Sequence, residues 1–113
     1  MAFIVAEFGF FHLVRPTADM TVETAVEDRR ELEALFNKKG IFDLVLDLSK
    51  IKRVDSAGMG SIMAASATGR GRGHRMLLYA PTPQILELMR ILELAGFFPL
   101  ITSEADLLSR LPD

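Results

Sequence analysis

The sequence predicts an α/β fold: one domain with a mixed, mostly parallel sheet of four to five strands and about four helices. Three observations carry that expectation. The chain has 113 residues, enough for one buried core and too few for two. After an initial pair of strand-like runs, short apolar runs alternate with segments of helical periodicity. Apolar residues make up 50% of the chain and charged residues 25%, a globular balance and neither a disordered nor a fibrous one.

Phe3 to Phe8 and Phe10 to Val14 are rich in aromatic and β-branched residues, and Gly9 between them suits a tight turn, so a hairpin opens the chain. Arg15-Pro16-Thr17-Ala18-Asp19 breaks the pattern. Past Thr21, residues Val22, Ala25, Val26, Arg29, Leu32 and Phe36 share one side at helical spacing, which predicts a first helix ending near Gly40. Its acidic Glu23, Glu27 and Asp28 lie early and Lys38 and Lys39 late, as the helix dipole favours. Ile41 to Leu48 alternates, with Phe42, Leu44, Leu46 and Leu48 pointing one way and Asp43, Val45 and Asp47 the other, a central strand.

Ser49 to Arg53 is a polar connection. From Ser56 the helical spacing returns, with Met59, Ile62, Met63 and Ser66 along one stripe, until G-R-G-R-G-H-R, Gly69 to Arg75, ends it as a solvated loop. Met76 to Ala80 has strand length. Thr82 caps a helix with Pro83 at its first position, running through Ala95 and terminated by Gly96. Ile85, Leu88, Met89 and Leu92 lie on its core side, while Leu94 lies almost opposite and suits packing against Phe97 and Phe98. Leu100 and Ile101 make a last strand. S-E-A-D from Ser103, with Asp106 in the reciprocal position, opens a short helix carrying Leu107, Leu108 and Leu111.

Several function classes drop out on composition. The chain has no cysteine, which removes disulfides, thiolate metal sites and cysteine nucleophiles and fits a reducing, cytoplasmic setting. His12 and His74 lack carboxylates at ligand spacing, so no metal and no cofactor is expected. A net charge of −2 argues against a nucleic-acid partner. The opening MAFIVAEFGFFHLVRP lacks the basic region and cleavage pattern of a leader. No run reaches the roughly 20 apolar residues of a membrane span.

The unusual stretch is V-D-S-A-G-M-G, Val54 to Gly60, which opens a segment without charge until Arg70. A nucleophilic serine needs a base and an oxyanion hole, and its strained elbow reads G-x-S-x-G, whereas Val54 stands two before Ser56. A small serine hydrolase is therefore a minor alternative. Either Asp55 or Ser56 suffices as a helix cap, which leaves one polar group over at the carboxyl end of a strand. Gly58 and Gly60 each cost up to about 1 kcal/mol in a helix, so something must come close to the backbone here. Opposite the inward stripe stand Ser61, Ala64, Ala65 and Thr68, small and uncharged: a contact face for a partner or for a neighbouring helix. A phosphate on Ser56 would meet free amides and the positive end of the helix dipole, changing binding without unfolding the domain.

L-V-L-D-L-S-K-I-K-R-V-D-S-A-G-M-G resembles the central signature of STAS domains, and in particular of bacterial anti-sigma-factor antagonists. The resemblance runs on through R-M-L-L-Y-A, I-L-E-L-M-R-I-L-E-L-A-G-F and S-E-A-D-L-L-S-R-L. It implies a single STAS-like domain whose serine after the aspartate, Ser56, is phosphorylated by an anti-sigma factor that is also a GHKL-type serine kinase. The unphosphorylated form binds that partner and a phosphoserine phosphatase resets it. Asp55, Ala57, Gly58, Met59 and Gly60 would then surround the phosphoacceptor in the docking surface, with Ser61 and Ala64 of the helix beyond. The family's G-x-[LIVF]-D turn is replaced here by Val14 to Asp19, and Ala57 stands where Ser or Thr is frequent. A scaffold subunit of a larger, stressosome-like signalling assembly is the alternative the resemblance leaves open.

Overall fold

The computed structural model describes residues 3–8, 10–37, 42–94 and 96–110. The chain runs β1 (Phe3–Glu7), β2 (Phe11–Pro16), α1 (Ala25–Leu35), β3 (Asp43–Asp47), α2 (Ser56–Gly71), β4 (Met76–Tyr79), α3 (Pro83–Ile91), β5 (Leu100–Ile101) and α4 (Glu104–Arg110). The five strands form one sheet in the order β1-β2-β3-β4-β5. β1 and β2 are the predicted antiparallel hairpin, with Val5 opposite Val14, and every later pair is parallel. Helical crossovers are what parallel neighbours require.

Strand alternation sorts the side chains. Leu44, Leu46 and Leu48 join Met59 and Ile62 of α2 and Ile85 and Met89 of α3 in the main core on one face. Val45 faces the other way, with Leu77 and Ile101, and meets Leu107 of α4. α1 packs beside α2 on the first face, where Leu32 and Phe36 enter the core.

Several expected details differ. α1 begins at Ala25, and its expected stripe splits: Leu32 is fully buried, but Val22 and Val26 are 69% and 71% exposed and Arg29 faces solvent. Asp28 is buried in their place, because the helix turns its Asp28–Leu32 side inward. The predicted end near Gly40, the hairpin residue Gly9, and Leu111 lie outside the described residues.

α3 ends at Ile91 and not at Ala95, which is itself outside the described residues. The Leu94 amide donates to the Met89 carbonyl (2.8 Å) and the Glu93 amide to Arg90 (3.1 Å), while Glu93 takes φ 58°. This is a Schellman closure, and it reverses the chain so that Leu94 is buried and Leu92 is left 38% exposed.

The G-R-G-R-G-H-R stretch is solvated through Arg70–Gly73 and at Arg75, as expected, but it is also tied down. Gly73 (φ 82°) closes α2, as the His74 amide donates to the Gly69 carbonyl and the Gly73 amide to Arg70. Arg70 donates to the Phe97 carbonyl and lies over its ring, Arg72 meets Asn37, and Arg75 pairs with Asp43. A run of cations that looks free in sequence is largely spent within the fold.

Candidate functional site

α2 starts where β3 and its connection reach the carboxyl end of the sheet. Asp55 is its N-cap: one carboxylate oxygen accepts from the Gly58 amide (2.8 Å) and the other from the Val22 amide (2.9 Å). Those amides, Gly58 first and then Val22, hold the Asp55 carboxyl below the ordinary aspartate range. Of the two residues able to cap, Asp55 does so, which leaves the hydroxyl of Ser56 exposed at the first helical position.

Asp55 also closes a small zipper between two loops. The Met20 amide donates to the Arg53 carbonyl and the Asp55 amide to that of Met20, each at 3.2 Å. One oxygen of Asp19 accepts from both the Lys52 and Arg53 amides, at 3.2 Å. Asp19 thus serves the amino side of the connection as Asp55 serves its carboxyl side. In the sequence Asp19 is only an aspartate ending a Pro-containing turn, because the amides that donate to it lie 33 and 34 residues on.

The two glycines have different reasons. A Cβ on Gly58 would lie 2.0 Å from the Met20 carbonyl oxygen, so the zipper itself demands glycine there. A Cβ on Gly60 would meet nothing within 4 Å. The expected close approach is thus present at Gly58 and absent at Gly60, which is exposed.

The small-residue face of α2 divides in the same way. Ser61 and Ala65 are buried, and Thr68 donates to Glu33 of α1, so the neighbouring helix covers that side. What remains in solvent is a narrower strip of Ser56, Gly60 and Ala67, flanked by half-buried Ala57, Met63 and Ala64. Exposed Val26 and Arg29 of α1 border it across a shallow dish lined on the α2 side by Ala57, Gly60 and Ser61. Met59 is buried and belongs to the core. Among the expected contact residues, then, Ser56, Ala57, Gly60 and Ala64 form one surface, while Gly58, Met59 and Ser61 shape it from below.

Neither histidine can serve Ser56. His12 pairs with Leu44 at the amino end of β3 and stacks on Phe42 (3.9 Å), whereas Ser56 follows the carboxyl end. His74 is buried against the Phe42 carbonyl (Nδ1 to O, 3.0 Å), beyond the far end of α2. Sixteen residues of helix separate it from Ser56, about 24 Å. Among the described residues no cluster of His, Asp and Glu could hold a metal ion, and no helix is long and apolar enough to cross a membrane.

A family model described as "Mlab, STAS domain" matches residues 14–102. Solved structures share the fold at low identity. An anti-sigma factor antagonist from Mycobacterium paratuberculosis is 21% identical with a TM-score of 0.79, over 98% of this chain and 93% of that one. An anti-sigma-factor antagonist (STAS) domain protein from Planctomyces limnophilus is 10% identical with a TM-score of 0.81, over 94% of each. The Bacillus cell fate determinant SpoIIAA in its phosphorylated form is 14% identical with a TM-score of 0.70, over 96% of this chain and 98% of that one.

Proposed function

Because the chain belongs to the STAS domain family, we propose that it is an anti-sigma-factor antagonist, a non-enzymatic cytoplasmic protein that binds an anti-sigma factor with GHKL-type serine kinase activity and is switched off by phosphorylation of Ser56. The observation that carries this reading is the exposed Ser56 hydroxyl at the head of an uncharged strip on α2, beside a capping aspartate that makes no demand on it. That solved neighbours of the same fold are anti-sigma factor antagonists, one of them in a phosphorylated form, supports it.

The chemistry follows from what the chain supplies and what it does not. Ser56 Oγ attacks the terminal phosphorus of ATP held by the kinase, its proton passes to a base of the kinase, and ADP leaves. Asp55 is not that base, since two amides occupy its carboxylate and stabilise its charged form. It fixes instead the first turn on which Ser56 sits. The new phosphate carries about −1.5 to −2 charges, faces the amide end of α2 and leaves the fold intact. At the contact strip the same charge must be desolvated against the partner, which weakens the complex. A phosphoserine phosphatase restores binding.

The test uses the chain, Ser56→Ala and Ser56→Asp with the partner kinase and Mg-ATP, reading phosphate incorporation and complex formation. The unmodified chain alone should take phosphate, Ser56→Ala should still bind, and Ser56→Asp should bind roughly tenfold or more weakly. Phosphate on another residue, or Ser56→Asp binding as tightly as the unmodified chain, overturns the proposal. Recovery of a very large particle with no kinase in it would favour the scaffold reading.

A further inference from the structure

Among the lysines and arginines whose side chains the structure describes, most are engaged within the fold. Arg15, Arg29, Arg30, Arg75 and Arg90 pair with carboxylates, Arg70 lies over the Phe97 ring and Arg72 meets Asn37. Lys50, Lys52 and Arg53 are the exceptions: all are exposed, and none makes a side-chain hydrogen bond or ion pair among the described residues. All three stand in the connection that leads to Ser56.

Backbone geometry singles out Arg53. Met20 and Val54 form a parallel bridge, in which the Met20 amide donates to the Arg53 carbonyl and the Met20 carbonyl accepts from the Asp55 amide. Side chains alternate through such an extended stretch, so buried Val54 points inward while Arg53 and Asp55 share the outer side. Their Cα atoms are about 6–7 Å apart, a gap that the long stem of arginine spans. The charge of Arg53 does reach Asp55, since it adds to the amides that hold that carboxyl low. It forms no ion pair there, because the Gly58 and Val22 amides already occupy the two carboxylate oxygens. A guanidinium without a partner among the described residues thus stands beside the first residue of α2.

We propose that Arg53 receives the phosphate once Ser56 carries it, its planar fork of N–H groups bridging two phosphate oxygens across the head of α2. This rests on Ser56 as the phosphoacceptor and adds a second part to the switch. Phosphorylation then does more than charge the strip: it draws a cation that was free to meet a partner into an ion pair within the chain. Lys50 and Lys52 carry point charges without that fork. The other charged groups around this end of α2 are Asp19 and Glu23 before α1, both exposed, and Arg29, which pairs with Glu33.

The test places phosphoserine at position 56 of the full chain through an expanded genetic code, so it uses no kinase and its outcome is separate from that of the phosphorylation assay. The phosphate is titrated by phosphorus NMR in the chain and in Arg53→Gln, Arg53→Lys and Lys52→Gln, all of which keep the backbone bonds to Asp19 and Met20. A phosphoserine ordinarily loses its second proton at about pH 6, and a paired arginine favours the dianion. Arg53→Gln should therefore move the midpoint up by about half a pH unit, Arg53→Lys should recover part of that, and Lys52→Gln should change it little. The Nε–H resonance of Arg53 should shift when the phosphate is present and return after alkaline phosphatase removes it. A midpoint that Arg53→Gln leaves in place, one that Lys52→Gln moves as far, or an Arg53 resonance indifferent to the phosphate overturns the inference.

Discussion

Gly58 and Gly60 sit two residues apart on one helix and answer to opposite constraints. At Gly58 a methyl group would run into the Met20 carbonyl oxygen at 2.0 Å, an atom fixed by its own hydrogen bond from the Asp55 amide. Gly58→Ala should therefore cost roughly 2–3 kcal/mol in a chemical denaturation measurement, as backbone has to move. At Gly60 the methyl group enters open space, so Gly60→Ala should stabilise the chain by about 0.5–1 kcal/mol through helix propensity alone. If the strip docks a partner closely, the same Gly60→Ala variant binds that partner more weakly while melting higher, a divergence that a purely structural glycine would not produce. Asp28 carries a different penalty. Burial lifts its carboxyl above the ordinary range, the Thr24 hydroxyl bond at 2.8 Å pulls the other way, and Glu31 and Glu27 add to the rise. A folded-state value above the unfolded one means that the ionised group opposes folding at neutral pH, and that the penalty shrinks as pH falls below the folded value and is gone below the unfolded one. Asp28→Asn keeps an acceptor for Thr24, so it should raise stability at neutral pH and lose that advantage below about 3.8, the unfolded reference. Denaturation midpoints taken across that range give the answer.

The helix ends show where local chemistry is optimised and where it is not. α2 and α3 both finish in the same closure, with a left-handed residue after the cap, but α2 places Gly73 there and α3 places Glu93. A side chain in that conformation costs about 1 kcal/mol or more, and a negative charge faces the negative end of the helix dipole as well. Glu93→Gly should raise stability by roughly 1 kcal/mol, and Glu93→Ala should recover only the smaller electrostatic part. Comparing the two by denaturation separates backbone angle from charge. The same closure explains why Gly96 looked like the terminator: it does adopt φ 83°, but after the chain has already left the helix at Leu92. Thr82, Pro83 and Ser103 were legible because their caps are local, and the bonds from the Ile85 and Asp106 amides to the Thr82 and Ser103 hydroxyls are present. α1 was less legible, since helical spacing put Val22 and Val26 on one side with Leu32 and Phe36, and tertiary packing buried Asp28 with those two and left both valines exposed.

The succession of strands and helices and the opening hairpin could be read from periodicity because each depends on residues near one another in sequence. The site was legible for the same reason: cap, serine and glycines lie within Val54 to Gly60. Asp19 and the partners of the arginine-rich stretch were not, because their contacts join loops more than 25 residues apart. The same division governs how the molecule should open. β3 is paired on both sides and sealed on both faces, with Leu44, Val45 and Leu46 fully buried. α4 is attached through Leu107 to the two-residue β5 and its neighbours. Stability is therefore unequal along the chain, highest where burial and pairing coincide. Native-state hydrogen exchange should find the slowest amides in β3 and much faster exchange in α4, whose opening need not breach the main core. Leu107→Ala sharpens the expectation: it should cost about 2 kcal/mol and release α4 while the β3 amides keep their protection. Equal loss of protection in α4 and β3 would mean instead that both faces of the sheet unfold as one unit.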